Sequence, residues 1–205
     1  MVEQRQAAQR TQTDGSAGAA GRDGAFARVA VEEIYQGYVI RVTKGRFRAP
    51  GGEEFTRDVI YSPGAVGIVA VHDGPDGPET LLVRQFRPAI EDWLLEIPAG
   101  LRDKPGEDPA ETAARELIEE TGYRAERFHP LTVFLNAAGM TDQRTHVYLA
   151  TELTHVGAAA DGVEEQYLEL VRVPLREVRP MIERGELIDA KTIIGLRLAL
   201  DHLGW

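Results

Sequence analysis

The segment at residues 106–122, GEDPAETAARELIEETG, most constrains the fold, because it marks both ends of one helix. Asp108 is a favourable N-cap, Pro109 suits the first helical position, and Glu111 three residues after the cap completes an acidic capping box. Gly122 predicts the end of the helix. The face expected to pack on the core comprises Ala110, Ala113, Ala114, Leu117 and Ile118.

The same helix carries a crowded acidic face. Glu116, Glu119 and Glu120 follow the spacing i, i+3, i+4 and project from one side, where each pair of like charges costs roughly 0.2–0.5 kcal/mol. The face contains no lysine, and the nearest cation is Arg115. Two interpretations fit: an acidic surface exposed to solvent, or a site for a hard cation such as Mg²⁺, which usually takes one or two carboxylates.

Composition excludes several classes of function. The chain has 205 residues, 43% of them hydrophobic, and suits one domain of moderate size or a domain with an added arm. A net charge of -10 argues against non-specific nucleic-acid binding, and the absence of cysteine excludes disulfides, zinc-thiolate sites and thiol nucleophiles. No apolar run approaches the roughly 20 residues that span a bilayer, and the N-terminus lacks the apolar core of a signal peptide. We therefore expect a soluble, cytoplasmic protein without nucleic-acid or membrane partners.

The chain divides into three segments that differ in composition and residue pattern. Residues 1–25 are rich in Gln, Ala and Gly and predict a disordered tail. Residues 26–62 predict two or three antiparallel strands, with APGG as a turn. Residues 63–205 interleave further strands with two or three helices, which predicts an α/β or α+β domain. The strands after the first segment are expected near 38–49, 53–61, 64–73, 79–87, 93–100, 131–137, 144–153 and 168–174.

Two helices are predicted near the C-terminus. The pattern at residues 175–184 favours a helix, which Pro180 is expected to break or offset. Residues 189–204 predict an amphipathic helix with Asp189 as its cap.

The acidic helix also resembles a known signature. Gly100 and Glu107 are followed by Arg115-Glu116-Leu117-x-Glu119-Glu120-x-Gly122-Tyr123, which is similar to the signature of the Nudix hydrolases. The spacing matches from Glu107 onward, but six residues instead of five separate Gly100 from Glu107. The resemblance implies a Nudix-type α/β/α sandwich with a mixed sheet.

The resemblance also implies roles. Glu116 and Glu120 would be the main ligands of Mg²⁺, with Mn²⁺ as a possible substitute, and Glu119 a third ligand or a partner of the ligands. The main-chain carbonyl of Ala99 would join the same site. Arg115 and Glu107 would form an ion pair that orients the glutamates.

Sequence beyond the signature resembles the ADP-ribose pyrophosphatase group over about residues 29–200. This implies hydrolysis of a nucleoside diphosphate sugar, first of all ADP-ribose to AMP and ribose 5-phosphate. It also implies a homodimer in which N-terminal strands reach across to the partner. The alternatives are another nucleotide sugar, such as GDP-mannose or UDP-glucose, and a Nudix-fold sensor without turnover.

Further residues are candidates for substrate contacts. Arg87 and Arg84 suit phosphate or sugar contacts, because a guanidinium matches phosphate oxygens, although both also suit the surface end of a strand. Glu96 resembles a family position near the metal site, and a strand-end glutamate without a function is the alternative. Arg57 would reach the partner's pocket across the dimer.

One loop departs from the group's pattern. In NAAGMTDQRTHVYLA, Gln143 stands where the group usually has a glutamate assigned as the general base. Asp142 is the first substitute, if the loop is shifted by one residue. Glu164 or Glu165 would be another, and metal ions alone would be a third source of hydroxide.

Overall fold

The computed structural model describes residues 25–157 and 167–205. All but the last residue of the predicted tail lies outside these ranges, as do Glu164 and Glu165. The described residues form ten strands and three helices. These are β1 (Ala27–Gln36), β2 (Arg41–Arg48), β3 (Glu54–Tyr61), β4 (Ala65–Gly74), β5 (Gly77–Arg87), β6 (Asp92–Glu96), β7 (Ala99–Leu101), α1 (Pro109–Thr121), β8 (Tyr123–Leu135), β9 (Arg144–His155), β10 (Glu169–Pro174), α2 (Leu175–Glu183) and α3 (Ala190–Leu203).

The strands form two sheets. β1, β2 and β3 make an antiparallel three-stranded sheet in chain order. The larger sheet has the order β10-β5-β4-β9-β8, with β6 paired to β5 and β7 paired to β4. Because β4 and β9 run parallel and the other neighbours run antiparallel, this sheet is mixed, as predicted.

The larger sheet is covered on both faces. Successive side chains of a strand point to opposite faces, and β4 shows this alternation. Its residues Val66, Ile68 and Ala70 pack with Ala113 and Leu117 of α1. On the other face, a cluster includes Val69 and Val71 of β4, Leu175 and Val178 of α2, and Leu196 and Leu200 of α3. The predicted α/β/α sandwich is therefore present.

The ends of α1 follow the local sequence signals. The side chain of Asp108 accepts a hydrogen bond from the main-chain N–H of Ala110 (2.8 Å), and Gly122 ends the helix in the left-handed region at φ 73°. The predicted capping box is wrong, because Glu111 is exposed and makes no hydrogen bond or ion pair within the described residues. The buried side of the helix also includes Glu116, which was predicted to lie beside it.

Two elements differ from prediction because packing outweighs local preference. Pro180 lies inside α2, although it removes one helical hydrogen bond, since Leu175 and Val178 are buried against the sheet. β8 begins at Tyr123 and not near residue 131, because it pairs with β9 along its length. Pro130 is tolerated there beside a register shift in an edge strand.

Candidate active site

A cavity of about 460 Å³ opens where the β5–β6 hairpin, β7, the loop at residues 136–143 and the start of α3 meet. Its lining includes Arg87, Glu96, Ala99, Gly100, Gln143 and Lys191. The cavity therefore combines predicted site residues from distant parts of the chain.

Glu96 is the buried centre of this lining, with 1% of its surface exposed. Its carboxylate accepts a bidentate pair from Arg87, with Nε–Oε1 at 2.7 Å and Nη2–Oε2 at 2.6 Å, and it also accepts from the ammonium of Lys191. Burial alone would raise the pKa of Glu96, but these hydrogen bonds and charges hold it below its ordinary value. Glu96 is therefore an ionised anchor for two cations.

The first turn of α3 fixes the position of Lys191. Asp189 caps this helix by accepting from the main-chain N–H of Thr192 (2.9 Å) and from the ammonium of Lys191 (3.0 Å). The hydroxyl of Thr192 donates to Asp189 and accepts from the main-chain N–H of Ile97 (3.0 Å). The helix terminus is thereby fastened to the residue that follows Glu96.

Glu120 reaches the same region from the opposite face of the sheet. Its Oε2 accepts from the main-chain N–H of Ala99 (2.9 Å). Burial, followed by the nearby charge of Glu116, raises the pKa of Glu120 to about 8. A carboxylate in this state gains a charge readily when a cation arrives.

The carbonyl of Ala99 points in the same direction as its N–H. Hydrogen-bonded and non-hydrogen-bonded pairs alternate along antiparallel strands. The adjacent pair Ile68–Pro98 and the pair Gly64–Arg102, three positions away on the other side, carry inter-strand hydrogen bonds, so the pair Gly67–Ala99 does not. Both polar groups of Ala99 therefore face away from β4, toward the side on which Glu120 lies.

Gly100 allows the acidic helix to approach β7. A Cβ at this position would lie 1.9 Å from the carboxyl carbon of Glu116, so the carboxylate would have to move. Glycine at residue 100 thus makes room for the carboxylate, and this accounts for its place in the signature.

Arg115 contacts carboxylates of α1 and of the segment that precedes the helix. Its Nη1 lies 2.7 Å from Glu116 and 2.8 Å from Glu119, and its Nη2 lies 3.4 Å from Glu107. Glu107 also accepts from the hydroxyl of Thr112 (2.8 Å), and these hydrogen bonds lower its pKa. The expected pair of Arg115 and Glu107 is present, and Glu119 belongs to the same network.

The loop at residues 136–143 presents Gln143 to the cavity, and Asp142 does not line it. Instead, Asp142 accepts from the main-chain N–H of Ser62 (3.1 Å), at the exit from β3. Ile60 bonds the loop further through the carbonyl of Met140 (2.8 Å). The expected shift that would make Asp142 the base is therefore absent from this arrangement.

Arg84 and Arg57 are not brought into the cavity. Arg84 pairs with Glu169 of β10 at 3.3 Å. Arg57 donates to the carbonyl of Thr56 (2.7 Å), and its guanidinium lies over the ring of Phe55, 4.9 Å from the ring centre. Of the four residues predicted to bind substrate, only Arg87 and Glu96 line the cavity within a single chain.

Similarity to known proteins identifies the family of this chain. Residues 62–194 match the family model described as the NUDIX domain. The chain belongs to the Nudix family. It is a Nudix hydrolase, and enzymes of this family generally use divalent metal ions.

Several curated relatives of this Nudix hydrolase cover most of it. An ADP-ribose pyrophosphatase of Bacillus subtilis (strain 168) is 37% identical over 82% of this chain and 89% of its own length. An ADP-ribose pyrophosphatase of Mycobacterium tuberculosis (strain ATCC 25618 / H37Rv) is 36% identical over 83% and 81%. A GDP-mannose pyrophosphatase of Yersinia enterocolitica (serotype O:8 / biotype 1B) is 31% identical over 70% and 77%.

A solved structure shares the fold. A crystal structure described as an ADP compounds hydrolase superposes with a TM-score of 0.77 and covers 90% of this chain and 97% of its own. Its sequence identity is 23%, so the likeness concerns the fold.

The residues near Gly100 suit a divalent cation held by few protein ligands. Within residues 25–157 and 167–205, no three His, Cys, Asp or Glu side chains lie close enough together to hold a metal ion. Glu119, expected as a third ligand or a partner of the ligands, lies 2.8 Å from Arg115, and Glu116 lies 2.7 Å from the same nitrogen, so this contact does not separate the two roles. A small set of oxygen donors near Gly100 suits Mg²⁺, which commonly takes one or two carboxylates and keeps several waters.

Sequence reasoning missed Lys191, which lines the cavity and contacts Glu96. One signal was available. Lys191 is the second residue of α3, and a positive charge is disfavoured at the N-terminus of a helix. A cation in that position indicates that a compensating anion lies nearby.

Proposed function

We propose that this Nudix hydrolase cleaves the pyrophosphate bond of a nucleoside diphosphate sugar in a Mg²⁺-dependent reaction, with ADP-ribose giving AMP and ribose 5-phosphate. The observation that carries the proposal is the juxtaposition of Glu120 and Ala99 with a cavity that Arg87 and Lys191 line. Two relatives named ADP-ribose pyrophosphatase support the choice of first substrate.

Glu116, Glu120 and the carbonyl of Ala99 would hold the metal, and Mn²⁺ would substitute for Mg²⁺. When bound, the ion would neutralise diphosphate charge and lower the pKa of a coordinated water. Arg115 keeps Glu116 and Glu119 in place and reduces their mutual repulsion.

The remaining groups bind and orient substrate. Arg87 offers the donors that Glu96 leaves unused, and charge-assisted hydrogen bonds to phosphate are strong. Gln143 can orient a water or a hydroxyl by hydrogen bonding, but its amide cannot accept a proton at neutral pH. This chain therefore supplies no glutamate base from the loop at residues 136–143.

We also propose a homodimer formed through the N-terminal sheet. β1 is exposed along its whole length, and its apolar side chains Val31, Ile34 and Tyr35 are exposed with it. A second copy would cover this surface and would give Arg57 a route to the partner's cavity.

A different nucleotide sugar is the second candidate for substrate. Gln143 in the cavity departs from the group's pattern, and one relative is named a GDP-mannose pyrophosphatase. A sensor without turnover is the third candidate. The two neighbouring carboxylates of Glu116 and Glu120 argue against it, since a sensor does not require a metal site.

The decisive experiment is a panel of ADP-ribose, GDP-mannose and UDP-glucose, with release of the nucleoside monophosphate measured in Mg²⁺ and in EDTA. We expect the largest kcat/KM for ADP-ribose and no release in EDTA. Equal release in EDTA would refute the metal-dependent mechanism. Tight binding of a nucleotide sugar without any release would favour the sensor.

A further inference from the structure

The positive charge of Lys191 lies where it is electrostatically unfavourable unless an anion is nearby. Its side chain is 12% exposed, and it lies in the first turn of α3, where the helix dipole opposes a positive charge. Glu96 and Asp189 both contact the ammonium and offset that cost. These two anions fix the ammonium of Lys191 at the edge of the cavity.

Lys191 and Arg87 each keep N–H groups that are not used in hydrogen bonds to the two carboxylates. An ammonium has three N–H groups, of which Glu96 and Asp189 take two from Lys191. Glu96 takes the Nε and Nη2 groups of Arg87, and Nη1 has no partner within the described residues. Since both side chains line the cavity, the unused donors are available to a ligand there.

Glu96, the anion that both cations share, is buried more deeply than they are. It is 1% exposed, whereas the side chains of Lys191 and Arg87 are 12% and 37% exposed. Asp189, the second anion beside Lys191, is 20% exposed, so of the two anions Glu96 alone lies deeper than both cations. The charges of Lys191 and Arg87 also act on Glu120, where both lower the pKa against the larger effect of burial.

We propose that Lys191 contacts the diphosphate of the substrate and forms a two-cation clamp with Arg87. Glu96 and Asp189 are positioning residues that fix the clamp. The inference rests on the proposed function, because a diphosphate between the clamp and the glutamates of α1 would meet positive charge on both sides once a cation is bound.

The test compares ADP-ribose, which carries a diphosphate, with adenosine, which carries no phosphate. Kd values of ADP-ribose and of adenosine would be measured by calorimetry in EDTA for wild type, K191M and R197M. Arg197 is the matched control, because it is an exposed cation on the same helix. We expect K191M to weaken ADP-ribose binding about 10- to 100-fold and to leave adenosine binding unchanged, while R197M changes neither.

Structural damage gives a different pattern from loss of the clamp. Equal loss of affinity for both ligands, or no loss for either, would overturn the proposal. K191Q, which retains a donor for Glu96 without the charge, replaces K191M if that variant does not fold. If wild type hydrolyses no nucleotide sugar yet the phosphate-selective loss appears, the proposed reaction fails and the clamp stands. If wild type hydrolyses ADP-ribose and the loss does not appear, only the clamp fails.

Discussion

At the scale of single residues, Gln143 is the departure with the clearest chemical consequence. It lines the cavity, and a glutamate at this position would be able to accept a proton, which glutamine cannot do. We expect Q143E to raise kcat for ADP-ribose about 10-fold or more, in a steady-state assay with saturating Mg²⁺. An unchanged or lower kcat would show that a metal-bound water needs no base from this loop.

Glu120 predicts an unusual dependence of stability on pH. Its pKa rises from 4.5 in the unfolded chain to about 8 in the fold, so between these values the folded state keeps a proton that the unfolded state releases. This contribution to the free energy of unfolding is present below about pH 4.5, falls as pH rises, and is lost above about pH 8.

Urea denaturation of the metal-free protein at several pH values measures the effect. We expect E120Q to decline less steeply than wild type between pH 5 and pH 8, because glutamine does not titrate. Saturating Mg²⁺ should flatten the wild-type decline by binding the ionised form. Parallel curves for wild type and E120Q would contradict the raised pKa of the partly buried Glu120.

At the scale of elements, the loop at residues 136–143 is held by β3. The carboxylate of Asp142 and the carbonyl of Met140 both accept hydrogen bonds from main-chain N–H groups at the end of that strand. Asparagine keeps an acceptor oxygen, whereas alanine does not.

We therefore expect D142N to retain kcat/KM within about twofold and D142A to lower it several-fold, as suits a hydrogen bond worth about 1 kcal/mol. The comparison requires both variants to have wild-type far-UV circular dichroism. A loss of 100-fold or more in D142N as well as in D142A would restore Asp142 as the general base.

Features that depend on contacts between near neighbours in the sequence were predictable, whereas features that depend on contacts between distant residues were not. The ends of α1 and α3 were predictable because Asp108, Gly122 and Asp189 act on neighbours within one turn. The first part of β8 was not, because its pairing with β9 joins distant residues. The contact of Lys191 with Glu96 spans 95 positions and leaves only an indirect trace in the sequence.

At the scale of the whole molecule, the exposed apolar side chains of the N-terminal sheet predict self-association. We expect wild type to elute as a dimer in size-exclusion chromatography with light scattering, and I34E to shift it toward monomer. E33Q, on the same exposed strand, is the control and should remain dimeric. A wild-type monomer at micromolar concentration would contradict the proposed dimer.

Among the described residues, no helix combines the length and the apolar composition that a membrane span requires.

Glu120 and its neighbours are proposed to hold the cation that drives hydrolysis, and one comparison of variants tests this assignment most directly. AMP release from ADP-ribose would be measured with Mg²⁺ for wild type, E120Q and E111Q, where Glu111 is an exposed glutamate of the same helix. We predict that E120Q lowers kcat at least 100-fold and that E111Q remains within about twofold of wild type. Equal rates for E120Q and wild type would contradict the assignment of the metal site.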